Sequence, residues 1–520
     1  MDKVENANEK IIPLTEAEQI IQLKNENKLL QLKLAEIFEK YSLLIYKRFG
    51  RSTEAFEGEN QLLLFTEDIA NTETPEEQLE DDTKTETIPS YTRKKQGRKP
   101  LDDKLPRKKI ILDIPEDDKK CACGTDLVRI GEEVSERLQV IPMQIYVERI
   151  IRPKYACKKC EGSGDEDKCA VRIADAPITL IPGSIATPGL LAFIMINKYA
   201  DHLPYYRQEK RFEREGIRIS RQNMSNWQQN IYYAIEPLLK LLKAHLRTGT
   251  VLRMDETPVQ VMKEEGKKDT QLSYMWLARG GPQDKPVLIY EYQRSRASEH
   301  IHSFLEGFSG FLQTDGYPGY VSALKTHPHI IHVGCFAHVR REFFDAGKAD
   351  TKKSKSAEEA LKHIQQLYRI ENELRLKKLS DEDFLIERKL LCEPALEKFK
   401  AWLLKRELNV PSSLLLGKAI RYALNQWNNC IAYLQSAELT PDNNKSENAI
   451  RPFVLGRKNW LFSGSPEGAK SSCAMYSLIE TAKANNLNPE TYLKILFEQA
   501  PFAKNKQDWE ALLPWNFPKT

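Results

Sequence analysis

Apolar residues near the start of the chain recur at alternating spacings of three and four. The repeat consists of Ile20, Leu23, Asn27, Leu30, Leu34, Ile37, Tyr41 and Leu44. This is the heptad pattern of a coiled-coil seam, in which a core asparagine commonly sets register and partner number. We therefore predict a leucine-zipper-like helix over residues 15–50 that pairs with a second copy. The alternative is one amphipathic helix that packs on its own protein.

Residues 185–245 show a helical spacing, and two amphipathic helices are predicted there. Pro204–Glu215 forms the first, Gly216 ends it, and Ser220 caps the second. Two helices joined by a short glycine-containing turn are typical of a helix-turn-helix, although any helical hairpin has the same pattern. The second helix carries side chains suited to DNA base edges, namely Arg221, Gln222, Asn223, Ser225, Asn226 and Gln228.

Short apolar runs between residues 246 and 346 predict a sheet. Strands are predicted at Val251–Met254, Ser273–Ala278, Val287–Tyr292, Phe311–Thr314 and Ile330–Gly334, and the longer helices at Ala297–Glu306 and Phe336–Ala346. Three strands followed by alternating helix and strand describe a mixed α/β sheet covered by helices, as in ribonuclease H-like domains. Residues 347–440 have only charged helical patterns, so we expect an all-helical insertion. The α/β domain that begins at residue 246 would resume at 441–485, and 486–520 would form a C-terminal segment.

Length and charge refine this organisation. A chain of 520 residues is too long for a single core. The sequence has no apolar stretch of about 18 residues and no signal-peptide pattern, so we expect a cytoplasmic protein without a membrane span. Residues 51–110 are predicted to be a disordered linker, first acidic and then basic. Its basic part either follows a DNA minor groove or is a solvated charge run; it includes Arg93, Lys94, Lys95, Arg98 and Lys99.

Nine cysteines suggest a metal site rather than a disulfide framework. Residues 111–175 contain two close pairs, Cys121 with Cys123 and Cys157 with Cys160. With short strands between them, such as Tyr146–Ile151, these pairs predict a structural zinc site of four thiolates. The first pair has one spacer residue instead of two, so Cys169 is a possible substitute ligand, and unrelated reduced cysteines are the alternative.

Three acidic residues are candidates for metal-dependent catalysis. Asp255 and Asp315 each follow a predicted strand, and Glu447 lies near the start of a helix that Asn443 or Asn444 can cap. Carboxylates of this kind hold two Mg²⁺ ions, with Mn²⁺ as a possible substitute, in enzymes that cut and join phosphodiesters. Taken singly, each of the three is equally compatible with a turn or an exposed helix position.

Further residues are candidates for supporting roles. Arg451, Arg457 and Lys458 follow Glu447 and either bind phosphates or are solvated. The spacing of Cys335 and His338 resembles half of a zinc site, but no second pair follows. His338 is therefore interpreted as a residue near the active site or as a core histidine.

Five motifs together resemble the insertion-sequence-66 family of bacterial transposases. They are Arg-Met-Asp255-Glu-Thr-Pro, Thr-Asp315-Gly-Tyr-Pro-Gly-Tyr, Gly-Cys335-Phe-Ala-His338, Asp-Asn-Asn-Lys-Ser-Glu447-Asn-Ala-Ile-Arg-Pro and Gly-Arg457-Lys-Asn-Trp. The resemblance extends in order and spacing over nearly the whole chain, including the zipper-like helix and the zinc module.

The resemblance implies a transposase with an aspartate-aspartate-glutamate (DDE) triad, carried by Asp255, Asp315 and Glu447. Glu256 stands where the family often has a second aspartate, so either adjacent carboxylate can bind metal; we favour Asp255 because it ends the predicted strand. The implied partners are double-stranded DNA, as element ends and as target, further copies of the chain in a dimer or higher oligomer, and accessory proteins of the same element. The alternatives are a DNA-binding protein without catalysis and a structure-selective nuclease.

Overall fold

The computed structural model describes residues 16–49, 144–156, 171–349 and 354–517. The chain divides into two compact units, residues 74–176 and the remainder. The predicted zinc ligands and the basic tract lie outside the described residues. Of the helices in the described ranges, none is long and apolar enough to cross a membrane.

The described part of the smaller unit contains one two-stranded sheet. Strands β1 (Lys154–Ala156) and β2 (Val171–Ile173) pair antiparallel. The predicted strand Tyr146–Ile151 is wrong, because residues 144–153 have no regular secondary structure. Its alternating apolar side chains have no packed face here, since Tyr146 and Val147 are 78% and 92% exposed.

The larger unit is built on a six-stranded mixed sheet. Its strands are β3 (Val251–Val261), β4 (Leu272–Gly280), β5 (Val287–Gln293), β6 (Gly310–Gln313), β7 (Ile330–Val333) and β8 (Phe462–Ser463). The order is β5-β4-β3-β6-β7, with β3, β4 and β5 antiparallel and β6 and β7 parallel to β3. All five predicted strands are present. The short β8, which pairs with the end of β3, was not predicted.

Sixteen α-helices occur in the described residues. They are α1 (Glu16–Phe49), α2 (Pro188–Tyr199), α3 (Tyr205–Arg214), α4 (Arg221–Ala234), α5 (Glu236–Leu246), α6 (Glu299–Leu305), α7 (Pro318–Leu324), α8 (Phe336–Ala349), α9 (Ser354–Leu376), α10 (Asp381–Glu407), α11 (Leu415–Asn425), α12 (Trp427–Ile431), α13 (Asn444–Trp460), α14 (Pro466–Ala484), α15 (Pro489–Gln499) and α16 (Lys506–Ala511). The described part of the predicted insertion is helical and contains no strand, as expected.

Two apolar clusters hold this unit together. One surrounds the sheet and includes Met254, Trp276 and Phe453. The other joins α8 to the inserted helices through Phe343, Phe399 and other side chains. The insertion therefore has its own packed core, which extends to the sheet through Val251 of β3 and Val333 of β7.

Helix α1 packs on its own unit through a stripe that is not the heptad seam. The buried Glu39 accepts a hydrogen bond from the Leu415 backbone N–H at 2.9 Å, and Lys47 pairs with Asp345 of α8 at 2.7 Å. The apolar seam residues stay 52–68% exposed, for example Leu30 at 64% and Leu34 at 68%. Pairing with a second copy remains a prediction.

The predicted helix pair is confirmed as α3 and α4. Gly216 has φ +76°, a left-handed conformation that favours glycine, and the Asn223 N–H donates to Ser220 Oγ at 3.2 Å as a cap. The prediction that Gln228 faces DNA is wrong. Gln228 is buried and binds Tyr205 and Ser471 at 2.6 Å each, because it lies on the face of α4 that packs on α14.

Candidate active site

The register between β3 and β6 brings Asp255 beside Asp315. Arg253 pairs with Gln313 in the parallel ladder, and their side chains hydrogen-bond at 3.1 Å. Asp255 and Asp315 each stand two positions further along, and alternate strand residues share a face. The prediction that Asp255 ends its strand is wrong, since β3 continues to Val261 with Asp255 opposite Leu277 of β4. The strand continues because β4 and β8 supply partners beyond this point.

Asn443 fixes the start of α13, the helix that carries Glu447. Its side-chain amide donates to the Met254 carbonyl at 3.0 Å, and its backbone N–H donates to Cys335 Sγ at 3.2 Å. Asn443 occupies the N-cap position, but the predicted side-chain cap is absent, since Oδ1, the atom that would accept it, is buried without a hydrogen-bond partner in the described residues. The first turn of α13 is thereby held against the residue that precedes Asp255.

Two side chains at the start of α8 lie next to Glu447, one from Cys335, which precedes the helix, and one from His338 in its first turn. His338 Nδ1 is 3.7 Å from Glu447 Oε1, and Cys335 Sγ is 3.8 Å from the same oxygen. The Glu447 side chain is 13% exposed. His338 is thus placed near the carboxylates, as one of the two interpretations of the sequence expected.

Glu256 has a different environment from its neighbour Asp255. Its side chain is 2% exposed, one oxygen accepts from Arg296 Nε at 2.6 Å, and the other accepts from the Tyr320 hydroxyl. Arg296 also lies 3.8 Å from Asp315. Sequence reasoning missed Arg296 and Tyr320, since neither stands at a spacing that signals a site. Arg296 and Tyr320 therefore occupy both carboxylate oxygens of Glu256.

The electrostatics of the cluster fit a divalent cation. Burial is the largest cause that raises the pKa of Asp255 well above its ordinary value, and the carboxylates of Glu256, Glu447 and Asp315 raise it further. Burial and Asp315 also raise the pKa of Glu256, although Tyr320 and Arg296 oppose this. Crowded carboxylates of this kind are stabilised by a bound cation, and hard oxygen donors suit Mg²⁺.

The predicted supporting cations all lie on α13. Arg457 Nη1 donates to Thr257 Oγ1 at 3.2 Å, and Thr257 stands two positions after Asp255 on the same strand. Arg451 is half-buried, one helical turn after Glu447, and Lys458 is exposed. Arg457 thus contacts the strand that carries Asp255.

The predicted DNA-facing residues of α4 are exposed at its first turns. Arg221, Gln222, Asn223 and Asn226 are all at the surface, and Gln222 donates to Asn226 at 2.9 Å. Their polar groups are therefore accessible to a partner. The buried face of the same helix, with Met224 and Trp227, packs on the core.

Four families match consecutive parts of the chain. Residues 183–471 match the family described as Transposase IS66 family, and residues 477–515 match the IS66 C-terminal element. Residues 118–161 match the zinc-finger binding domain of transposase IS66, and residues 38–110 match Transposase C of IS166 homeodomain. These matches and the fold define a multidomain DNA-acting protein with an N-terminal helix, a zinc-finger domain and a mixed α/β core.

The chain belongs to the IS66 transposase family. The resemblance noted in the sequence is thus confirmed, and the zinc-finger match, which contains all four predicted cysteines but not Cys169, supports structural zinc. Three relatives come from Sinorhizobium fredii (strain NBRC 101917 / NGR234). Uncharacterized protein y4jD is 32% identical over 79% of this chain and 80% of its own, y4hP is 30% identical over 84% and 79%, and y4qI is 32% identical over 83% and 81%.

Proposed function

We propose that the chain is a DDE transposase that binds the terminal inverted repeats of an insertion sequence and catalyses metal-dependent strand cleavage and strand transfer. Three features support the proposal: Asp255 on β3 and Asp315 after β6 stand at matching positions along parallel neighbours, Asn443 ties the helix of Glu447 to β3, and Glu447 and Asp315 both raise the pKa of Asp255. The strand order β5-β4-β3-β6-β7 supports a ribonuclease H-like core. In that core, neighbouring strands and a facing helix bring acidic residues together.

The residues of the proposed site have different roles, namely metal binding, positioning of Glu447 and binding of DNA phosphates. Asp255, Asp315 and Glu447 would hold two Mg²⁺ ions, which supply charge neutralisation at the attacking and leaving oxygens of a phosphodiester. Asn443 positions Glu447 by tying α13 to β3. Arg457 on the same helix is placed to bind DNA phosphates, together with Arg451 and Lys458. No protein nucleophile is required.

DNA recognition is assigned to the parts of the chain outside the sheet. The exposed first turns of α4 present Arg221, Gln222, Asn223 and Asn226, in the way that the start of a recognition helix meets base edges. The zinc-finger domain and the basic tract Arg93–Lys99 would add contacts to the backbone and the minor groove. Accessory proteins of the same element are further proposed partners.

The active form is proposed to be a dimer or higher oligomer joined through α1. Its heptad seam is exposed although the opposite side of the helix already packs on α8, so the seam is available to a second copy. The double change Leu30→Glu and Leu34→Glu should reduce the mass measured by light scattering to that of one chain. Leu29→Glu is a matched control, since Leu29 is 53% exposed on the same helix but lies off the seam. A monomeric wild-type protein would contradict the assignment.

The direct test of the function uses DNA that carries an element end. Wild-type protein with Mg²⁺ should cut this DNA at the boundary and join the exposed 3′ end to a second duplex, and DNA with a scrambled end should not react. Binding without cutting would favour a catalytically inactive DNA-binding protein. Cutting of branched DNA without joining would favour a structure-selective nuclease.

A further inference from the structure

Three potential metal ligands of different chemistry meet beside the proposed active site. Cys335 directly precedes α8, His338 lies in the first turn of α8, and Glu447 lies in the first turn of α13. One ligand atom from each lies within 4.8 Å of the other two. Glu447 Oε1 is the shared point, at 3.8 Å from Cys335 Sγ and 3.7 Å from His338 Nδ1.

These separations are close to those of a zinc site. With Zn–S near 2.3 Å and Zn–O or Zn–N near 2.0 Å, tetrahedral geometry sets ligand atoms about 3.3–3.5 Å apart. The two measured separations from Glu447 exceed this by a few tenths of an ångström, which a side-chain rotation supplies. The spacing of three residues also places Cys335 and His338 on one side of a helix.

The surroundings of Cys335 and His338 contain two features that suit metal coordination. Cys335 is 3% exposed, and its sulfur accepts the Asn443 backbone N–H at 3.2 Å, a donor that stabilises a thiolate. His338 Nδ1 is buried and has no hydrogen-bond partner within the described ranges. When a metal ion binds the Cys335 sulfur, it replaces the thiol proton, which is released to solvent. Because this deprotonation costs free energy, the ion must have a high affinity for thiolate. Zinc has this affinity, whereas Mg²⁺ prefers oxygen ligands.

We propose that Cys335, His338 and Glu447 form a second zinc site, distinct from the zinc-finger domain, and that zinc bound there inhibits the enzyme by withdrawing Glu447 from the magnesium ions. The inhibitory role of zinc rests on the proposed function, whereas the existence of the site does not. The sequence offered only a Cys-x-x-His pair without further ligands, and the fold supplies the third ligand from across the helical insertion.

The existence of the site is tested without DNA or activity. Full-length protein is titrated with Co²⁺ as a spectroscopic probe for zinc, and thiolate-to-cobalt charge-transfer absorption is recorded. Cys335→Ala should lose absorption relative to wild type, and His338→Ala should need more Co²⁺ to reach its maximum. Cys392→Ala, which removes another buried cysteine, should match wild type. The zinc-finger cysteines contribute equally to all these proteins, so identical titrations of wild type and Cys335→Ala would overturn the site.

The inhibitory role is tested by adding Zn²⁺ to magnesium-dependent cleavage reactions, with each variant compared to its own rate without zinc. Loss of an outer-shell partner alone typically weakens metal binding about 10- to 100-fold. Loss of the Cys335 ligand should therefore raise the half-inhibitory zinc concentration at least as much, and Cys392→Ala should leave it unchanged. Equal inhibition of wild type and Cys335→Ala would overturn this role. If no protein cleaves with Mg²⁺ alone, the proposed function and the inhibitory role both fail, while the cobalt titration still decides whether the site exists.

Discussion

Replacing Asp255 by Asn should have opposite effects on stability and on activity. Burial and three neighbouring carboxylates raise the pKa of Asp255 in the folded protein, so keeping this carboxyl in place costs free energy. Each unit of the rise costs about 1.4 kcal/mol of unfolding free energy at neutral pH. The isosteric, uncharged amide that the substitution introduces has no such cost. Without added Mg²⁺, Asp255→Asn should therefore be more stable than wild type.

The pH dependence of this gain has a definite sign. A carboxyl whose pKa is raised on folding loses stabilising effect as the pH rises above its unfolded pKa, near 3.9. The difference between Asp255→Asn and wild type should therefore be absent below about pH 4 and grow as the pH rises towards neutrality. Urea unfolding of the two proteins without added Mg²⁺, at neutral pH and below about pH 4, measures this difference in stability.

Added Mg²⁺ should reverse the order of stability. A ligand that binds only the folded state at a hundredfold excess over its Kd stabilises by about 2.7 kcal/mol. Wild type should gain from Mg²⁺, and so should Glu256→Gln, because Glu256 is occupied by Arg296 and Tyr320. Asp255→Asn should gain little and should not cleave DNA. A Mg²⁺ response that survives in Asp255→Asn but is lost in Glu256→Gln would refute the reasoning and exchange the roles of the two carboxylates.

Two further predictions concern the positioning of Glu447 and the recognition of DNA. Asn443→Ala removes one buried hydrogen bond to β3, which should lower stability by only about 1 kcal/mol. If Glu447 shifts by about 1 Å as a result, cleavage should slow about 100-fold. Asn459→Ala, an exposed change on the same helix, is the control, and equal cleavage rates for the two variants would contradict the role of Asn443 in positioning Glu447. Asn226→Ala should weaken binding of the element end by about 1–3 kcal/mol and should weaken binding of unrelated DNA by less. Fluorescence anisotropy measures both affinities, with the exposed change Gln271→Ala as the control. Equal losses of affinity for the two DNAs would show that Asn226 does not recognise bases.

Much of the fold could be predicted from the sequence, because apolar periodicity reports which residues are buried. The runs at Val287 and Ile330 gave strands close to those observed, and both form edges of the sheet. The end of β3 was missed because Asp255 interrupts the apolar run, although its backbone continues to pair with β4. The strand predicted at Tyr146–Ile151 shows the converse, since alternation without a packed face gave no strand.

The candidate site was only partly visible in the sequence. Its acidic residues stand beside recognisable strands and a helix start, but the contacts that separate Asp255 from Glu256 come from Arg296 and Tyr320, at 40 and 64 positions from Glu256. Contacts over such separations depend on how the elements pack, which periodicity does not report. The same holds for Glu447, whose 112-position separation from Cys335 spans the inserted helices.

The central claim is that Asp255, Asp315 and Glu447 act together on DNA. The most direct measurement is magnesium-dependent cleavage of an element-end duplex by Asp255→Asn, Asp315→Asn and Glu447→Gln, with binding of the same duplex measured in parallel. We predict that each variant loses cleavage while it still binds the DNA. Cleavage retained by any of the three would contradict the triad.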